Sequence, residues 1–160
     1  MVKFVLDADG AIKLAKAGLL DALAKSSVCI MPQEVYKEVL KGKESMFEDA
    51  FTVEALVSAE AIKVPKHAYA CTFPDLGAGE NAAAAVFKAE KADAIISDDL
   101  KFLKNLQSEH IQFITPADAI IWLSKKRKLT KAEGLNALKL MKKIIRKEAY
   151  ERAKSSLGGE

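Results

Sequence analysis

The chain has 160 residues and a mass of 17.4 kDa, the size of one domain or of one domain with a helical appendage. Half of the residues are hydrophobic and 29% are charged, which supplies a core and excludes global disorder. No uncharged run exceeds eight residues, so a membrane span of roughly 18 apolar residues is excluded. In chain order, Val2–Leu6 reads as a buried strand rather than a signal peptide, and it runs into Asp7. Apolar residues at 12, 14, 15, 19, 20 and 23 make a helical stripe over Ala11–Ala24. Ser27–Met31 is a second strand. Pro32 opens a helix through Val35, Val39 and Leu40, which Gly42 closes. Residues 46–60 read as a helix, Ala61–Val64 as a short strand and His67–Pro74 as a loop. Gly77-Ala78-Gly79 leads into an alanine-rich helix, Glu80–Glu90. Ala94–Ser97 is a buried strand, followed by Asp98, Asp99 and a helix to about Gln107. Gln112–Thr115 is the last strand. Pro116 starts a helical tail that reaches about Ser156.

Short apolar strands alternating with helices indicate an α/β protein. The expected architecture is a parallel sheet covered on both faces, with C-terminal helices. A core domain over residues 1–120 and a basic helical extension over 121–160, packed on it, follow from the charge. Residues 1–120 hold 13 Lys and Arg against 18 Asp and Glu, and residues 121–160 hold 12 against 4. The basic end points to an anionic partner, and its plainer reading is a solvated lysine-rich face. Cys29 and Cys71 are too few for a disulfide framework or a zinc site, and fit reduced thiols in a cytoplasmic protein.

In such sheets, ligands bind outside the carboxyl ends of the strands. Asp7 ends the first strand, and Asp98 and Asp99 end the strand at Ala94–Ser97. Glu38 lies one turn after Glu34 on the helix behind the second strand, and Glu80 lies in the first turn behind the glycines. Carboxylates gathered at one sheet edge repel each other, and a hard divalent cation such as Mg²⁺ or Mn²⁺ relieves that cost. Each acid also has a plainer role: Asp7 in a turn, Glu34 and Glu80 at a helix dipole, Asp98 or Asp99 as a helix cap, Glu38 in solvent.

Four segments carry a resemblance: Phe4-Val5-Leu6-Asp7, Pro32-Gln33-Glu34-Val35-Tyr36-Lys37-Glu38-Val39, Gly79-Glu80-Asn81-Ala82, and Ala94-Ile95-Ile96-Ser97-Asp98-Asp99-Leu100. In this order and spacing, over residues 2–120, the chain resembles the PIN-domain ribonucleases. The resemblance implies a three-layer α/β/α sandwich and a Mg²⁺- or Mn²⁺-dependent endoribonuclease. It assigns Asp7, Glu38, Glu80 and Asp99 as catalytic metal ligands, with Asp98 competing for the place of Asp99. Asp9 stands where the family usually carries Ser, Thr or Asn, and is an additional ligand or a competitor for the metal. The longer tail is similar to the archaeal-type branch. The implied partners are RNA, a second copy of the chain and, in a toxin–antitoxin setting, a small antitoxin protein; RNA processing is the other setting. For the dimer face, helices over 46–60 or 131–145 are the candidates.

The basic run Lys125, Lys126, Arg127 and Lys128 is the expected RNA-phosphate contact, with Trp122 and Tyr150 the only aromatic residues nearby. His67 and His110 have no expected role. Two alternatives accompany this reading. Val5-Leu6-Asp7-Ala8-Asp9-Gly10 is similar to the D-x-D signature of haloacid-dehalogenase-type phosphatases, in which Asp7 is the nucleophile and Asp9 the acid/base. The other is a non-catalytic module that binds nucleic acid or protein.

Overall fold

A computed structural model of the chain describes residues 1–66 and 73–159. His67, Cys71 and most of the loop expected around them lie outside the described residues. All five expected strands form within their apolar runs: β1 (Lys3–Leu6), β2 (Val28–Ile30), β3 (Ile62–Lys63), β4 (Ala94–Ile96) and β5 (Phe113–Ile114). They make one parallel sheet in the order β3-β2-β1-β4-β5.

The pleat sends successive side chains to opposite faces. Phe4, Leu6, Cys29, Met31 and Ile96 enter one core, and Val5, Ile30 and Ile95 enter the other. Helices α1 (Ala8–Lys16), α2 (Leu20–Ser26), α3 (Gln33–Leu40) and α4 (Glu48–Ser58) contribute to the first core. Helices α5 (Ala78–Ala89) and α6 (Leu100–Ser108) cover the second. The result is the three-layer α/β/α sandwich. The tail supplies α7 (Pro116–Lys125), α8 (Lys131–Met141) and α9 (Lys147–Ser156), whose Ile120, Leu123, Leu138, Met141 and Ala153 join the first core. No described helix is long and apolar enough to cross a membrane.

Two expected helices are divided. The stripe over Ala11–Ala24 breaks at Gly18, whose φ of +72° ends α1 in the left-handed conformation that glycine adopts at least cost. The tail breaks after α7, where Arg127 takes φ 58°, and again before Arg146, which caps α9. Thr130 and Glu133 form a reciprocal capping box that opens α8, a signal present in the letters Thr-Lys-Ala-Glu. The helix from Pro32 ends at Leu40, and Gly42 lies in a 3₁₀ turn, Lys41–Lys43. The helix expected from Glu80 begins at Ala78.

Candidate active site

Strand order reverses at β1, which has β2 on one side and β4 on the other. A crevice opens outside the carboxyl ends of strands at such a point. Leu6 pairs with Ile96, so Asp7 leaves β1 level with Ser97 leaving β4. The N-terminus of α1 packs against β4 so closely that a side chain at Gly10 would collide with the Ile96 carbonyl. The crevice is a cleft of about 110 Å³ lined by Asp7, Ala8, Asp9, Val35, Glu38, Gly79, Glu80 and Asp99. That volume holds a few waters or one phosphoryl-sized group, so anything larger must lie outside it.

Four of the expected acids thus meet in one place, each on a different element. Asp7 forms the floor and is 6% exposed. Its Oδ1 accepts the Gly10 N–H at 2.6 Å, capping α1, and its carboxyl also accepts from the Ser97 hydroxyl. Burial pushes the carboxyl up to about 7; these hydrogen bonds oppose the shift, and the charges of Asp9 and Asp99 add to it. Glu80, half-buried in the first turn of α5, is also raised by burial and by the charge of Asp99, while the Gly77 N–H and Lys101 pull it back. Glu38 and Asp99 stand exposed at the mouth. Asp99 caps α6 through Oδ1, which accepts the Phe102 N–H at 2.9 Å, so a cap and a cleft-lining acid are the same residue. Glu34 is a first-turn residue of α3 and does not line the cleft.

Two further acids face a cation instead. Asp98 does not line the cleft. Its carboxylate, nearly sealed from solvent, binds Lys13 Nζ at 3.1 Å and Arg146 Nε at 3.4 Å. Of the two adjacent acids expected to compete for the cleft, Asp98 is thus engaged by cations and Asp99 lines the cleft. Asp9 reaches the cleft wall, but its Oδ2 accepts the Asp98 N–H at 3.0 Å and its Oδ1 pairs with Lys13 at 3.1 Å. Burial pulls Lys13 down, yet Asp9 and Asp98 outweigh it and hold the ammonium above the usual lysine range. Lys13 and Arg146 carried no motif that would single them out in the sequence.

The basic run lies elsewhere. Lys125 ends α7 and shares a groove with Val2, the residue before β1, whereas Asp7 follows β1. Five residues of strand separate those levels by roughly 16 Å. Lys125–Lys128, all exposed, the run expected to contact RNA phosphates, therefore mark the edge of the sheet opposite the cleft. Trp122 stacks edge-on against Phe4 at 5.2 Å and belongs to the core margin. His110 is exposed, and the Cys29 thiol is buried and pushed up to about 11 by that burial.

Among the described residues, no three His, Cys, Asp or Glu side chains stand close enough together to hold a metal ion as placed. The donor chemistry nonetheless suits a hard cation. Five carboxylates line one small cleft, four of which (Asp7, Glu38, Glu80 and Asp99) form no ion pair with Lys or Arg among the described residues, and burial and the charge of neighbouring carboxylates raise the pKa of Asp7 and Glu80. Comparison with protein families matches residues 3–158 to one family model, DUF3368, described as a PIN domain. No curated protein matches the chain. Asp9, committed to Lys13 and to the Asp98 N–H, is also ill placed for the acid/base role that a dehalogenase-type phosphatase would give it.

Proposed function

The chain belongs to the PIN-domain family, and from that premise we propose that it is a Mg²⁺- or Mn²⁺-dependent endoribonuclease. The observation that carries the reading is the meeting of Asp7, Glu38, Glu80 and Asp99 in one cleft at the strand-order reversal. These four would hold the ion, directly or through water. When bound, the ion supplies charge neutralisation at a phosphodiester and a lowered pKa for a coordinated water.

The protein's own groups do the positioning. Ser97 donates to Asp7 and accepts the Asp99 N–H at 3.2 Å, so one buried hydroxyl ties the floor of the cleft to its mouth. Asn81 accepts the Phe73 N–H at 2.7 Å and donates to the carbonyls of Phe73, Leu76 and Gly77, fastening the loop ahead of α5 and hence Glu80. Gly79 leaves room for Glu38: a Cβ there would stand 3.1 Å from Glu38 Oε2. Lys101 offers positive charge beside Glu80, where a phosphate would approach.

The test is cleavage of unstructured RNA by wild type, Asp7→Asn and Glu38→Gln, with chelator and with added Mg²⁺ or Mn²⁺. Cleavage is expected only for wild type with the ion. RNA binding without cleavage under every condition would instead assign a non-catalytic module. Two cytoplasmic settings fit the reading, a toxin silenced by a small antitoxin and an RNA-processing enzyme. Growth arrest on expression, reversed by a small neighbouring gene, separates the first from the second. A homodimer would draw on the exposed Met46, Phe47 and Phe51 ahead of and along α4, or on Leu140 of α8; sedimentation of Phe47→Ser tests the former.

A further inference from the structure

The cleft is too small to hold RNA beyond one phosphoryl group, so a nuclease of this shape needs a separate surface to carry the strand. The run Lys125–Lys128 is at the wrong edge. A second basic surface begins at the right one. Arg146 reaches Asp98 at the end of β4, beside Asp99 of the cleft. From there α9 leads away from the cleft, and Ser156 near its end shares a groove with Val2 at the opposite edge.

Residues four apart on a helix share a face, about one turn of 5.4 Å apart. Arg146, Tyr150 and Lys154 therefore form one stripe along α9. Against it α8 contributes Lys139 and Lys142, and the two helices enclose a groove of about 290 Å³. Its lining is Leu135, Leu138, Lys139, Lys142, Tyr150, Lys154 and Gly159, with three lysines and no acid. None of these lysines pairs with a carboxylate among the described residues. Lys142 Nζ lies 5.5 Å from the centroid of the half-buried Tyr150 ring. Glu148 of the same helix projects away from the stripe, at roughly 100° per residue, and Glu151 is not among the groove-lining residues.

A groove lined by unpaired cations, with one aromatic ring at its wall, matches the chemistry that follows a single-stranded nucleic-acid backbone. We infer that the α8–α9 groove carries single-stranded RNA into the carboxylate cleft, with Lys139, Lys142 and Lys154 on phosphates, Tyr150 stacking a base, and Arg146 at the entrance. The inference rests on the ribonuclease reading for the identity of the strand. The Tyr150 ring at the groove wall, able to stack an unpaired base, selects a single strand over a duplex.

The test measures binding by anisotropy of a labelled unstructured RNA of about 12 nucleotides, within the range such grooves accommodate. The full chain is used, first without divalent cation and then in a cleavage assay with it. The triple variant Lys139→Gln, Lys142→Gln, Lys154→Gln alters partly or fully exposed side chains, and circular dichroism checks its fold. Binding is expected to weaken at least 10-fold. The slope of log affinity against log salt should become shallower by about 2, since each phosphate on a single strand contributes roughly 0.7. Tyr150→Ala should weaken binding about 10-fold with the salt slope unchanged. The matched triple Lys125→Gln, Lys126→Gln, Lys128→Gln removes the same charge at the far edge and should bind within about 2-fold of wild type.

Equal losses in the two triples would overturn the groove in favour of diffuse attraction, and so would preference for duplex RNA. Wild-type cleavage left intact by the groove triple, with unchanged affinity, overturns the groove and spares the nuclease. Binding through the groove without cleavage spares the groove and removes the nuclease. A wild type that binds no RNA removes both.

Discussion

Arg146, which caps the last helix, places Nε 3.4 Å from Oδ1 of Asp98, the residue immediately before the cleft acid Asp99. The contact spans 48 positions of sequence and joins the basic tail to the end of β4. Asp98 is nearly sealed from solvent, while Lys13 and Arg146 keep part of their hydration. Removing the carboxylate charge leaves Arg146 without a carboxylate partner among the described residues and leaves Lys13 with Asp9 alone. Asp98→Asn is expected to cost about 1–3 kcal/mol in urea denaturation, and Arg146→Ala less, because the guanidinium is partly exposed. Equal stability of Asp98→Asn and wild type would show that the pair contributes nothing.

Asp7 sets a pH dependence in the metal-free protein. Its folded pKa, near 7, lies above the unfolded value of 3.8. Between those limits the folded state holds a proton that the unfolded state has lost, so stability falls as pH rises. The contribution is complete below about pH 4 and gone above about 7, a loss on the order of 2–4 kcal/mol. Asp7→Asn has no such proton. In chelator, its denaturation midpoint should stay level from pH 5 to 8 relative to wild type, which declines. Added Mg²⁺ should recover stability at pH 8 in wild type alone. Parallel curves for the two proteins would refute this account of Asp7.

Gly79→Ala separates stability from activity. Position 79 lies in the first turn of α5, where alanine is the better helix former by roughly 1 kcal/mol. The new methyl meets only Glu38 Oε2 at 3.1 Å and Val35 Cγ2 at 3.6 Å, and the first is the end of a flexible side chain. The variant should fold as well as wild type or better, while displacing Glu38 and cutting RNA cleavage about 10-fold or more. Undiminished cleavage would mean that Glu38 tolerates displacement and is not a positioned ligand.

Asn81→Ala removes one acceptor and the donors that hold three carbonyls between Phe73 and Gly77. A stability loss of about 1–3 kcal/mol is expected. Hydrogen exchange at the Phe73 amide should accelerate more than at Ile95 in the sheet, because the loop is released while the core is not. Uniform acceleration would assign Asn81 to global stability instead.

The strands were legible because each is a short apolar run that ends where an acid or proline begins, and burial on both faces of a parallel sheet requires such runs. The acids at 7, 80 and 99 were legible for the same reason, since strand ends and helix starts in a parallel sheet share an edge; Glu38, in the second half of α3, was singled out by the family resemblance. The division of the helices was partly written as well: Gly18 and the Thr130–Glu133 box are local signals that the apolar stripe outweighed in the reading.

Other features depended on packing. Asp98 and Asp99 are equivalent as letters, but the chain turns into α6 between them, sending one toward Lys13 and Arg146 and the other to the cleft. The run Lys125–Lys128 looked like the natural phosphate contact, and the direction of α7 carried it to the opposite edge. Lys139, Lys142, Tyr150 and Lys154 share a groove only because α8 and α9 close on each other. Local sequence determines where a helix or strand starts and which of its faces is apolar, because those follow from neighbours along the chain. Which charges meet across the fold depends on how whole helices stack, and that is decided only when the core closes.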